Sequence, residues 1–186
     1  MAVQLQKRLL TTDAYHHLLQ AGMFDEDDRL ELIEGQIVEM SPISSKHAAR
    51  VNRLNRMFTQ MLGERALVSV QNPIRLGEHS EPQPDLALLR PRADYYAGSH
   101  PEPADVLLVV EVSETLAGYD RDVKMPLYAR AGIPEAWLLS LADKWIEVYS
   151  EPSPVGYLSV RRVLPGASLA PQAFPDMTVA VSEVVE

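Results

Sequence analysis

The sequence predicts an α/β domain built on a mixed sheet, and three observations carry that reading. The run from Asp105 to Ser113 is almost continuously apolar, the pattern of a strand buried on both faces. Ser44 to Leu62 places Val51, Leu54, Phe58, Met61 and Leu62 on one stripe at the 3.6-residue period of a helix. Segments with these two kinds of pattern alternate in the order helix, hairpin, helix, strands, helix, strands.

Taken in order, Thr12 opens a capped helix through Asp13 and Tyr15 that ends near Gly22, whose missing Cβ suits a C-terminal turn. Asp25–Asp28 is a solvated acidic loop. Leu30–Met40 reads as a hairpin turning near Glu34 and Gly35. The Ser44–Leu62 helix follows, with Lys46, Arg50 and Arg53 on a face beside its stripe and Gly63 as its stop. A strand is expected through Leu67–Gln71, then a polar loop around Gly77–Pro84. Asp85–Leu89 is a second strand, interior by its apolar content, and Asp94–Pro103 is a crossover loop or a short irregular helix. A helix runs from Asp120 or Asp122 to Ala131 and stops at Gly132. Pro126 lacks an N–H, so it falls in the first turn or kinks this helix. Glu135–Ser140 and Lys144–Tyr149 pair across Ala142 and Asp143, Gly156–Leu164 adds a strand, and a proline-punctuated tail ends in a short helix.

The chain has 186 residues, a length that fits one domain spanning 1–186. Its 46% apolar and 23% charged residues are those of a folded domain. It has no cysteine, which excludes disulfides, thiol catalysis, iron–sulfur clusters and Cys-ligated zinc. No apolar run approaches a membrane span and the start lacks the apolar segment of a signal peptide, so the expectation is a soluble, cytoplasmic protein with no membrane partner. A net charge of −9 repels nucleic acid globally, leaving room only for a locally basic or metal-assisted site.

The central constellation is Asp85, Glu111, Ser113 and Lys124. Glu111 interrupts an apolar strand and Asp85 opens another. Side chains alternate along a strand, so Glu111 and Ser113 share a face while Val112 points away. Two carboxylates converging in a dry setting repel, and a divalent cation would relieve that. One reading is therefore an Mg2+ or Mn2+ site with hard oxygen ligands from Asp85, Glu111 and the Val112 backbone carbonyl. A metal-bound water is then the nucleophile, and Lys124 stabilises phosphoryl charge or orients the water. The plain alternative is that Asp85 caps a turn and Glu111 sits at a solvated strand end. Lys46, Arg50 and Arg53 are spaced to meet phosphates in a line, or to form a solvated helix face.

His47 lies on the inner side of its helix, either bridging to the metal cleft, binding phosphate or donating to Glu31, or simply satisfied in the core. Asp120 and Asp122 cap the second helix or tune Lys124. Tyr128 shares a face with Lys124, while Trp137 and Trp145 read as core. The five histidines are scattered with no compact His/His/acid pattern, which argues against a conventional zinc enzyme. Phosphate-loop, dinucleotide, nucleophile-elbow and zinc-deaminase signatures are absent.

The chain resembles the Uma2 family of restriction-endonuclease-like proteins within the PD-(D/E)XK nuclease superfamily. The resemblance rests on Leu30–Gln36, His47, Gln83–Asp85, Val110–Ser113, Tyr119–Lys124 and Leu127–Trp137, and spans roughly residues 10–175. It implies a restriction-endonuclease-like mixed sheet flanked by helices, with an N-terminal helix and hairpin over about 12–40 and a nuclease-like core over about 44–175. Asp85 and Glu111 then match the acids of the first and second motifs. The lysine usual two positions after the second acid is replaced by Ser113, and Lys124 from the following helix supplies the migrated positive group. Glu31 matches the acid of the hairpin signature, whereas Gln36 stands where many relatives place another acid. The resemblance further implies DNA as substrate and a homodimer addressing two strands.

Three functions follow from these readings. The first is a divalent-metal-dependent endonuclease hydrolysing DNA, in which Asp85 and Glu111 meet at a cleft within reach of Lys124. The second is a catalytically inactive nuclease-like nucleic-acid-binding or structural protein, whose acids are separated or neutralised by local hydrogen bonds. The third and weakest is a phosphoesterase acting on something other than nucleic acid.

Overall fold

The computed structural model describes residues 8–25, 27–114 and 118–185. The signal-peptide reading of residues 1–7 and Glu26 of the acidic loop lie outside these. The chain opens with α1 (Thr12–Gln20), capped by the Thr11 hydroxyl, which accepts the amide of Ala14 at 3.1 Å. The cap is thus one residue earlier than expected, because Thr12 is buried in the first turn. The hairpin β1 (Leu30–Ile33) and β2 (Gln36–Glu39) turns through Glu34 and Gly35, at φ 48° and 75°. Two consecutive positive φ values fit the right-handed twist of paired strands. A Cβ at Gly35 would lie 2.5 Å from that of Leu9, so glycine is required there twice over.

Helix α2 (Ser45–Leu62) is capped by Ser44, whose hydroxyl accepts the amide of His47 at 3.1 Å, and it ends at Gly63. Val51, Leu54, Phe58 and Leu62 are buried as the stripe requires, but Met61 is 39% exposed because it lies beyond the edge of the contact face. Then come β3 (Leu67–Val70), β4 (Leu86–Leu89) and β5 (Val106–Ser113). A wide π turn over Asp120–Lys124 leads into α3 (Met125–Arg130). Pro126 therefore falls in the first turn of α3, the first of the two placements its missing N–H allows. The amide of Met125 reaches back to the carbonyl of Asp120, and the proline, with no N–H to offer, sits at the junction. Strands β6 (Glu135–Ser140), β7 (Trp145–Ser153) and β8 (Gly156–Val163) follow. The tail forms a small pair, β9 (Ser168–Leu169) with β10 (Val179–Ala180), and ends in α4 (Val181–Val185).

The six-stranded sheet runs β3-β4-β5-β6-β7-β8, antiparallel throughout except for the parallel β5–β6 pair, so the α/β mixed architecture is as the sequence predicts. Alternation along the strands sorts the core. Leu86, Leu88, Leu108, Val110 and Val112 face α2, with Phe58 against Trp137. Ala87, Leu89 and Val109 cluster with Met125 and Tyr128 on the opposite face. Asp85, Glu111 and Ser113 continue that second register, so the pleat delivers them to the side covered by the π turn and α3. Among the described residues no helix is long and apolar enough to cross a membrane.

Candidate active site

Glu111 is 2% exposed and Asp85 8%, so neither sits at a solvated strand end. Asp85 Oδ2 accepts the backbone N–H of Val112 at 2.8 Å, beyond the last ladder pair of β4 and β5. The Asp85 amide in turn faces Glu111 Oε2 at 3.4 Å. The two acids are therefore joined through the backbone that carries each of them. His47 Nε2 lies 2.7 Å from Asp85 Oδ1, which also accepts Gln71 Nε2 at 3.2 Å. His47 thus serves Asp85 and not Glu31. The hydrogen bond with Asp85 raises the imidazole above its ordinary pKa, against the opposing effect of burial.

Lys124 is 5% exposed, and its ammonium lies 2.9 Å from Glu31 Oε1 and 3.3 Å from Glu111 Oε1. Glu111 Oε1 further accepts the Tyr128 hydroxyl at 2.6 Å, and Glu31 Oε1 accepts the amide of Gln83 at 2.7 Å. Lys124 ends the π turn and Tyr128 follows four residues later, one turn along the same helix face. Burial pushes Glu111 well above the carboxylate range, with Lys124 pulling the other way. Burial would lower Lys124, but Glu111, Glu31 and Asp120 together overrule it and hold the ammonium above its ordinary value. Asp120 is pushed up to about 6, chiefly by burial. Tyr128 is also raised well above the phenol range by burial and the Glu111 carboxylate.

Asp85, Glu111, Lys124, Glu31, His47 and Tyr128 are thus brought together in one linked network, with Asp120 in its electrostatic reach. Asp122 is exposed and does not join them. Ser113 is buried two residues along β5, its carbonyl accepting the amide of Leu141 at 2.9 Å. The donor set fits a hard cation. Both acids offer carboxylate oxygens, and among the described residues Asp85 Oδ2 and Glu111 Oε2 each accept a single hydrogen bond, leaving lone pairs for an ion.

Lys46, Arg50 and Arg53 line an open cleft of about 620 Å³ with Lys144 and Glu114, directly past the end of β5. The ridge is therefore gathered at a concave surface. Among the described residues Arg50 Nη1 is buried without a hydrogen-bond partner, and burial and the nearby Arg53 lower the pKa of its guanidinium.

Sequence reasoning missed Gln71, which reaches Asp85 from a residue at φ 51° just past β3, and Lys144, which meets the ridge only through the β6–β7 turn. It also missed a second cluster. His16, Glu81 and His100 place their ligand atoms within 4.8 Å of one another, the single such trio among the described residues, and could coordinate a divalent metal. The histidines are scattered in the chain, as read, but the fold collects two of them around an acid. The signal was invisible because three separate segments supply it.

Residues 12–182 match the model of the family described as "Uma2: Putative restriction endonuclease". No curated protein matches. Among solved structures, the chain is similar to "a putative nuclease belonging to DUF820" from Anabaena variabilis, with 14% identity and a TM-score of 0.72 over 95% of this chain and 97% of that one. At that identity the likeness shows the restriction-endonuclease-like fold.

Proposed function

Because the chain belongs to the Uma2 family, we propose that it is a divalent-metal-dependent endonuclease that hydrolyses DNA phosphodiester bonds at Asp85, Glu111 and Lys124. The observation that carries the reading is a strand-borne acid pair, linked by the Asp85 amide 3.4 Å from Glu111 Oε2, with the buried Lys124 ammonium 3.3 Å from Glu111 Oε1, beside a basic cleft. Asp85 and Glu111 would hold Mg2+ or Mn2+, with the Val112 carbonyl, which leaves β5 on the same edge as the N–H bonded to Asp85. When bound, such an ion neutralises phosphate charge and lowers the pKa of a water. Lys124 then presents its ammonium to the charge that develops on the phosphoryl oxygens, oriented by Glu31. Asp120, pushed up to about 6, can take up a proton near neutral pH. His47 and Tyr128 fix the two acids, Ser113 borders them, and Lys46, Arg50 and Arg53 take flanking phosphates. In this reading the protein works in the cytoplasm as a homodimer with one site for each strand.

The test is cleavage of supercoiled plasmid with Mn2+ or Mg2+ by wild type, Asp85→Asn and Glu111→Gln. Loss of at least a hundredfold in both variants, with unchanged circular dichroism, is expected. Folded wild type that binds Mn2+ yet cuts neither DNA nor RNA would overturn the assignment.

A second reading has its own support. Lys124 already pairs with both Glu31 and Glu111, and both Asp85 oxygens are hydrogen-bonded, the state expected of a nuclease-like protein that binds nucleic acid without cutting it. Tight DNA binding in the absence of any cleavage would favour it.

A further inference from the structure

Glu81 is 2% exposed, and a carboxylate so buried needs a partner. Its ion-pair partner among the described residues is an imidazole: His16 Nε2 lies 2.9 and 3.0 Å from its two oxygens. The His100 ring stacks on that of His16 with centroids 5.7 Å apart, completing the trio. The three ligands come from α1, from the segment leading to β4, and from the loop leading to β5.

Hydrogen bonds outside the trio fix each of these backbones. The amide of Thr12 donates to Glu78, that of Glu81 to Leu32 at 2.7 Å, and that of Arg75 to Pro101 at 2.9 Å. The Arg75 guanidinium also grips Asp13 of α1 at 2.8 Å, so one residue ties both histidine-bearing segments to the Glu81 side. The ligands are thus held near one another before any ion arrives. Tetrahedral bonds of about 2.1 Å set ligand atoms about 3.4 Å apart. His16 and Glu81 already approach that closely, and the His100 ligand atom lies within 4.8 Å of both.

We infer that His16, Glu81 and His100 form a binding site for a divalent transition metal of the Zn2+ type, separate from the acid pair at Asp85 and Glu111. Two imidazoles and one carboxylate are a borderline nitrogen-rich set, suited to Zn2+ or Co2+ and not to Mg2+. Three protein ligands leave a fourth position for water. Glu81 stands four residues before Asp85, and no Asp85 or Glu111 oxygen belongs to the trio of ligand atoms that lie within 4.8 Å of one another, so the two centres do not share an ion. An ion here would fasten α1 and the loop before β5 to the segment that presents Asp85. The inference does not depend on nuclease activity.

The experiment titrates the metal-stripped, full-length protein carrying Asp85→Asn and Glu111→Gln with Zn2+ by calorimetry, and with Co2+ by visible absorption. One equivalent of Zn2+ and intense tetrahedral Co2+ bands are expected. His16→Gln or His100→Gln in the same background should weaken Zn2+ binding at least tenfold and abolish the Zn2+-dependent rise in Tm. These two exposed-side variants are preferred to Glu81→Gln, whose buried amide can disturb folding. Zn2+ uptake that is absent, or that survives both histidine changes undiminished, overturns the site. So does Zn2+ uptake by wild type that disappears in the Asp85→Asn, Glu111→Gln background. Plasmid cleavage with Mn2+ is measured separately, so loss of one centre is told apart from loss of the other.

Discussion

Lys124 and Glu31, 93 positions apart in the chain, form a buried ion pair at 2.9 Å. The pair ties the N-terminal hairpin to the crossover between β5 and β6, and it shares the lysine with Glu111. Removing one member of a buried pair strands the other. Lys124→Met should therefore cost about 3–5 kcal/mol in stability. Lys124→Met combined with Glu31→Gln should recover part of that, with a coupling of about 1–3 kcal/mol in a double-mutant cycle. Urea unfolding of the four proteins checks both figures, and additive effects would show that the pair is not coupled.

What was legible in the chain, and what was not, divides along the same line. Glu111 in a run of valines and Asp85 at the head of another strand could be picked out, because a carboxylate there must have partners. The helix stripe and the hairpin were legible because their periods are local. The contact between Glu31 and Lys124 rests on how the hairpin docks, which no local period encodes. The same holds for His16, Glu81 and His100. The β9–β10 pair is two residues long on each side, too short to leave any alternation in the sequence.

His47 and Gln71 both serve Asp85 Oδ1, from α2 and from the end of β3. His47→Ala leaves Asp85 with the Val112 N–H and the glutamine, so the fold should lose only about 1–2 kcal/mol. Cleavage should fall much further, because Asp85 Oδ1 then keeps only the longer glutamine contact and is held less firmly. Gln71→Ala alone should cost less on both counts. Parallel thermal melts and plasmid assays separate the effects, and equal losses in stability and cleavage would mean that His47 only supports the fold.

Glu147 carries the pH prediction. Its carboxylate accepts Arg162, Arg121 and the Tyr149 hydroxyl, the last at 2.7 Å, while both guanidinium groups cover Trp145. Burial acts to raise Glu147, but the three donors prevail and hold it below the ordinary glutamate value of 4.5. A depressed carboxylate stabilises the fold at pH values above its unfolded pKa, and that stability is lost as pH falls through the folded value. Glu147→Gln should thus lower stability by about 2 kcal/mol at pH 7. The gap to wild type should shrink as pH drops below the unperturbed value. Arg121 belongs to the π turn, so the same variant should also reduce cleavage by loosening Lys124. Urea midpoints from pH 7 down to pH 3 test the sign, and a gap that widened on acidification would refute it.

The basic cleft makes the last prediction quantitative. Lys46, Arg50, Arg53 and Lys144 converge on it, in a chain whose net charge of −9 otherwise opposes DNA. Binding there must come from local phosphate contacts, each releasing roughly one counterion. Arg50→Ala and Arg53→Ala should each weaken duplex binding about evenly across sequences and reduce the slope of log affinity against log salt by about 1. Arg50 should matter more. Among the described residues its Nη1 is buried without a partner, so a phosphate oxygen would satisfy a buried donor, and affinity gained that way is larger than for an exposed lysine. Lys46→Ala, on the exposed flank, should show the smaller effect. Fluorescence anisotropy with a labelled duplex at several salt concentrations, in the uncleaving Asp85→Asn background, measures all three. Salt slopes that do not change in any variant would remove DNA from this cleft and leave the ridge as a solvated helix face.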